Sequence, residues 1–223
     1  MAVNTEKYKE ISKELSEKKV TLVAVSKTKP NEDIQSLYDL GQKDFGENYV
    51  QELVDKQASL PKDIRWHFIG HLQSNKVKYI ASFVHLIHGV DSLKLLKEIN
   101  KQAAKCGRVM DCLLQVHIAQ EETKFGMDEA EIEEVKANIS ELTNVRIMGL
   151  MGMASFSDDL NKVRKEFQTL HTLYNQFRSW TIDHGPWTTL SMGMSGDYQM
   201  AIEEGSTMVR IGSLLFGARN QPL

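Results

Sequence analysis

Short apolar runs alternate with longer amphipathic stretches along the whole chain. Eight of the short runs read as strands, at 21–27, 44–46, 65–70, 86–90, 110–118, 145–149, 189–192 and 208–211. They are mostly continuous aliphatic or β-branched runs rather than strict alternations, the pattern of a parallel sheet covered by helices. Helical spacing fills the gaps. Residues 32–40 place Ile34, Leu37 and Leu40 on one face, and residues 160–178 do the same with Val163, Phe167, Leu170, Tyr174 and Phe177. Asp91 or Ser92 caps a helix carrying Leu93, Leu96 and Ile99. Further helices are expected over 49–58, 75–83, 128–139 and 197–204, with a leading helix near 8–15. Eight strands and their helices in 223 residues fit a single closed (β/α)8 TIM-type barrel, an open doubly wound sheet being the alternative. No Pro-, Gly- or Ser-rich linker divides the chain, which predicts one domain over 1–223.

Composition narrows the function. Hydrophobic residues make up 41% and charged residues 26%, as in an ordinary folded protein. With 27 basic against 30 acidic residues and a net charge of -3, a general electrostatic grip on nucleic acid is not expected. The two cysteines, Cys106 and Cys112, are too few for a disulfide framework and read as reduced thiols. The Lys- and Glu-rich start is the reverse of a secretory leader, and no stretch has the apolar length to cross a bilayer. A soluble cytoplasmic protein with no membrane partner is expected.

Barrel chemistry gathers at the C-terminal ends of strands. The first strand ends Val25-Ser26-Lys27-Thr28-Lys29-Pro30. Lys27 at a desolvated strand end either attacks an aldehyde as a neutral amine or snorkels into water. Asn48, after the second strand, meets a polar ligand or caps the next helix. His67 and His71 straddle the third strand's end, where strand geometry does not bring them together, so no metal site is expected. Ser191 with the glycines after it, and Gly212-Ser213 after the eighth strand, together have the small residues and hydroxyls of a phosphate site. Arg210 interrupts an apolar strand, and a buried guanidinium needs a partner: a ligand atom, a carbonyl, or an ion pair with Glu203 or Glu204. Met148, Met151, Met153, Met192 and Met194 read as adaptable packing, and Lys124 as a solvated loop charge.

Taken together, Ala24 to Pro30, Phe45 to Glu52, His67 to Lys76, Gly149 to Met153, Leu190 to Asp197 and Val209 to Gly217 resemble the pyridoxal phosphate homeostasis protein family. The resemblance implies a barrel like the N-terminal barrel of alanine racemase that binds pyridoxal 5'-phosphate (PLP). It implies that Lys27 holds PLP as a Schiff base, that Arg210 faces the pyridine nitrogen, that Ser191, Gly212 and Ser213 hold the phosphate, and that Asn48 lies beside the ring. The chain departs from the family pattern after the fifth strand, where His117 stands in the place expected for Asn.

PLP catalysis usually requires a protonated pyridine nitrogen that lets the ring accept carbanion charge. An arginine at that nitrogen discourages protonation. The chain also ends soon after the eighth strand, leaving no room for the second domain that supplies alanine racemase with an opposing acid-base group. The sequence therefore reads as a monomeric, non-catalytic PLP homeostasis protein, with apo forms of PLP enzymes as candidate recipients. The alternatives are a minimal amino-acid racemase and a Schiff-base aldolase that uses Lys27 directly.

Overall fold

In a computed structural model of the protein, which describes residues 3–119, 125–179 and 187–217, eight parallel strands close into a ring in sequence order. They are β1 Thr21–Val25, β2 Asp44–Glu47, β3 Arg65–Phe68, β4 Leu86–Val90, β5 Met110–Gln115, β6 Val145–Met151, β7 Thr189–Met194 and β8 Met208–Ile211. The ring shuts by pairing β1 with β8, Thr21 opposite Met208 and Val23 opposite Arg210. The helices α1 Thr5–Glu17, α2 Asn31–Asp39, α3 Val50–Ser59, α4 Val77–Ile80, α5 Leu93–Lys105, α6 Glu129–Asn138, α7 Leu160–Phe177, α8 Tyr198–Glu203 and α9 Ser213–Phe216 lie among them.

All eight expected strands are present, and their ends differ for local reasons. The first stops at Val25 rather than running on to Lys27, because Lys27 and Thr28 form a turn with Thr28 at a φ of 63°. The fifth ends at Gln115, beyond which only an isolated bridge joins Val116 to Met127. The helix expected over 75–83 is a 3-10 turn at Ser74–Lys76 followed by the single turn α4. Ser92 caps α5 by accepting from Leu95 N–H, and α6 opens on a capping box between Asp128 and Glu131.

Buried apolar side chains fall into two groups. The larger lies between strands and helices and includes Phe45, Phe68, Phe167, Phe177 and Phe216. The smaller, Val23, Leu86, Leu113, Met151 and Met208 with Met148 and Met153 against it, fills part of the barrel's interior. Among the described residues no helix is long and apolar enough to cross a membrane. The loop position Lys124 lies outside the described residues.

Candidate functional site

A cleft of about 540 Å³ opens where β1, β2, β7 and β8 end, a size that suits a small-molecule site. Its wall includes Lys27, Asn48, Arg210, Gly212 and Ser213, so five of the six expected site residues converge on it.

The turn that carries Lys27 is held from behind. Ser26 N–H donates to Gly46 O at 3.0 Å, and Lys29 N–H to Ser26 O at 3.0 Å. Thr28 sits in the left-handed region that a β-branched residue rarely enters. Glu52 Oε1 steadies it, accepting from Thr28 N–H at 2.6 Å and from Lys56 Nζ at 2.6 Å. Buried Lys56 also donates to Ser26 O at 2.8 Å and to Glu47 Oε1 at 2.7 Å. Burial pushes the Glu47 carboxyl up to about 7, although Lys56 and the Ser26 hydroxyl pull the other way. Two lysines line the cleft, Lys27 and Lys29. The Lys29 ammonium donates to Phe216 O at 2.8 Å and Gly217 O at 3.3 Å, which makes it a clasp.

Asn48 follows β2 at the cleft wall, and its Oδ1 is buried without a hydrogen-bond partner. Gly70 permits that placement, since a Cβ there would lie 2.4 Å from Asn48 O. An unsatisfied buried acceptor is costly unless a ligand donor meets it.

Arg210 is 4% exposed. Its Nη1 donates to Ser191 Oγ at 2.6 Å and its Nη2 to Gly152 O at 3.1 Å, so two of the guanidinium's five N–H groups are accounted for. The expected ion-pair partners belong to another arginine: Glu203 pairs with Arg164 at 2.7 Å, and Glu204 pairs with Arg164 as well. Burial brings the Arg210 guanidinium down to about 10 against the pull of Asp197. It stays a cation at neutral pH.

The tips of β7 and β8 form the other end of the cleft. Ser195 Oγ accepts from Gly212 N–H at 3.2 Å, which ties the two tips together. Gly193 turns at a φ of 95°, and a Cβ there would lie 2.6 Å from Ala201 Cβ, so packing accounts for it. Gly196 is different: a Cβ there would meet no protein atom within 4 Å. No described atom demands glycine at that position, and the space beside its backbone is open to a ligand.

Ser191, expected among the phosphate contacts, does not line the cleft. It is fully buried, and its Oγ lies between Arg210 and His88, 3.2 Å from His88 Nδ1. The hydroxyl that does reach the cleft from this loop is Ser195, four residues on, at the strand tip where a ligand contact belongs. His67 and His71 separate as strand geometry requires, His67 buried in the interior and His71 exposed with Asp91 3.1 Å from its Nδ1. His117 is exposed just past β5, its backbone N–H donating to Met127 O at 3.1 Å.

The family model described as "Alanine racemase, N-terminal domain" matches residues 4–220. The pyridoxal phosphate homeostasis protein of Aquifex aeolicus is 43% identical over 202 residues, 89% of this chain and 86% of that protein. PipY of Synechococcus elongatus, solved without PLP, is 36% identical with a TM-score of 0.89, over 95% of this chain and 99% of that one. The same protein with PLP bound is 37% identical with a TM-score of 0.81, over 89% and 93%.

Proposed function

The chain belongs to the pyridoxal phosphate homeostasis protein family within the alanine racemase N-terminal domain group, and from that premise we propose that its cleft binds PLP as a held cofactor rather than as a catalyst's tool. The observation that carries the reading is Arg210: a buried cation on the cleft wall, on the strand beside the one that leads into the Lys27 turn, that makes no ion pair among the described residues. The orphaned Asn48 Oδ1 and the unconstrained Gly196 fit the same ligand. Lys27 holds the cofactor's aldehyde carbon as a Schiff base, and Asn48 lies beside the ring. Ser195, Gly196 and Ser213 receive the phosphate through hydroxyls and open backbone, with Gly212, whose N–H holds the Ser195 hydroxyl, between them. Ser191 acts through Arg210 instead of touching the anion.

PLP, when bound, supplies an electrophilic carbon and an electron sink. Arg210 limits the second property. A guanidinium donates to the pyridine nitrogen and cannot yield a proton to it, so the nitrogen stays unprotonated and the sink is weak. That arrangement suits storage and release of the cofactor, to apo PLP enzymes as recipients, better than racemisation.

The purified protein loaded with PLP should be yellow, and borohydride should fix one adduct on Lys27. Lys27→Ala should lose both signals, and an adduct that persists on another lysine overturns the assignment. Pyridoxal without its phosphate should bind far more weakly. Exchange of the amino-acid α-proton in deuterated water should be slow or absent. Turnover of alanine on the order of 1–10³ per second would mark an enzyme instead.

A further inference from the structure

The third residue of β3, β4, β7 and β8 is polar in each strand: His67, His88, Ser191 and Arg210. All four are buried and all are hydrogen bonded in series. Arg210 Nη1 lies 2.6 Å from Ser191 Oγ, Ser191 Oγ 3.2 Å from His88 Nδ1, and His88 Nε2 2.9 Å from His67 Nδ1. His67 Nε2 lies 3.0 Å from Asp44 Oδ1. Asp44 opens β2 at the opposite end of the barrel from the cleft, beside a lower hollow of about 200 Å³ lined by Asp44, Arg65, His67 and His85.

The direction of this chain follows from which atoms can donate. Arg210 only donates, so Ser191 Oγ accepts from it. Asp44 only accepts: the Arg65 and His67 bonds outweigh the effect of burial and hold its carboxyl down at about 2. Arg65 grips it through Nε at 2.7 Å and through Nη2. His67 therefore donates to it from Nε2, and a series that runs one way has the His67 Nδ1 as an acceptor. His88 Nε2 therefore carries the proton. Burial, with His67 and Arg210 close by, holds His88 well below the usual imidazole range and keeps it neutral. Its Nδ1 is then bare and accepts the Ser191 hydroxyl hydrogen.

We propose that His88 and His67 are positioning residues of the cleft: with Ser191 and Asp44 they form a one-way hydrogen-bond relay through the barrel's interior that fixes Arg210 and links it to a carboxylate at the far end. Among the described residues Arg210 makes no ion pair, and the relay links it to a carboxylate at a distance, each polarised bond strengthening the next. Asp44, His67 and His85 also bring donor atoms within 4.8 Å of one another, but Arg65 occupies both Asp44 oxygens and competes with any cation there.

The first test needs no cofactor. Nitrogen-15 spectra of the histidines should show His67 and His88 each protonated on Nε2 and bare on Nδ1, and a proton on His88 Nδ1 overturns the relay. The second test rests on the cofactor reading above. Asp44→Asn alters a residue that touches neither the cleft nor its ligand, yet it should move the visible absorption maximum of bound PLP and weaken PLP affinity roughly threefold to tenfold, the worth of one hydrogen bond. An unchanged spectrum and affinity overturn the proposal. Should Asp44→Asn not fold, His88→Asn serves, since an amide near the Nδ1 position still meets Ser191 while the link to His67 is cut, and the same two readouts decide. A wild-type protein that binds no PLP refutes the cofactor reading, and the nitrogen-15 result then decides the relay alone.

Discussion

The two sides of the barrel's strands are built from opposite materials. Facing the helices, β3 offers Trp66 and Phe68, and β8 offers Val209 and Ile211, all part of the large apolar group. One residue away, facing inward, the same strands carry His67 and Arg210. The alternation of a strand separates the two sets cleanly. The outer layer is a non-directional contact of hydrocarbon with hydrocarbon, and its strength depends on area and fit. The inward side adds to a small apolar group, Val23, Leu86, Leu113, Met151 and Met208, a column held by aimed donors and acceptors. The outer layer therefore decides whether the chain folds, and the inner column decides what the folded chain can hold.

That division can be broken by experiment. The largest effect belongs to the outer layer. Phe167 is fully buried in α7, and Phe167→Ala should cost about 3–5 kcal/mol in chemical denaturation. The PLP affinity of the molecules that remain folded should not change, and a parallel loss of affinity would erase the distinction. Arg210→Met should do the reverse. Stability should change little or rise, because a buried cation is replaced by an apolar chain of similar length. PLP affinity, read by absorbance titration, should fall about tenfold or more with the charge-assisted bond.

A smaller effect separates two buried carboxyls by sign. Glu47 stands near 7 in the folded protein against 4.5 for an ordinary glutamate, so the folded state binds the proton more tightly. Its contribution to stability is present at low pH and declines as pH rises from about 4.5 to about 7. Asp44 stands near 2 against 3.8, so its contribution is present above that range and is lost as pH falls from about 3.8 to about 2. Melting curves against pH should show Glu47→Gln losing the decline between about 4.5 and about 7, and Asp44→Asn losing the acid-side fall. The smallest effect concerns the thiols. Burial pushes the Cys112 thiol up, while Cys106 is exposed. A thiol reagent should modify Cys106 in the native protein and reach Cys112 only on unfolding.

The outer layer was almost wholly legible in the sequence, since it is written as runs of aliphatic residues whose spacing names the element. All eight strands and the main helices follow from it. Site residues at strand tips were legible for the same reason: Lys27, Asn48, Gly212 and Ser213 come where a strand pattern stops. The inner column was harder. Arg210 stood out because a charge in an apolar run is conspicuous. In the sequence His67 has His71 as its visible companion, although its hydrogen-bond partner is His88 on the next strand. Ser191 lies within the seventh strand's run, and the hydroxyl next to glycines reads as a phosphate contact because nothing in that run signals the guanidinium it meets. The usable signal was polar residues recurring at the third position of several strands, a pattern that crosses elements and is invisible within any one of them.

The clasp made by Lys29 on Phe216 and Gly217 lies on the seam where β1 meets β8. Lys27 stands on one side of that seam and Arg210 on the other, near opposite ends of the chain. During synthesis the first strand must therefore wait for the eighth, and no nascent chain that stops short of β8 has both walls of the cleft. A cofactor that binds between them cannot template early folding; it can only reward a completed ring, adding its binding free energy to the last step. Cofactor occupancy is for this reason a report on finished molecules.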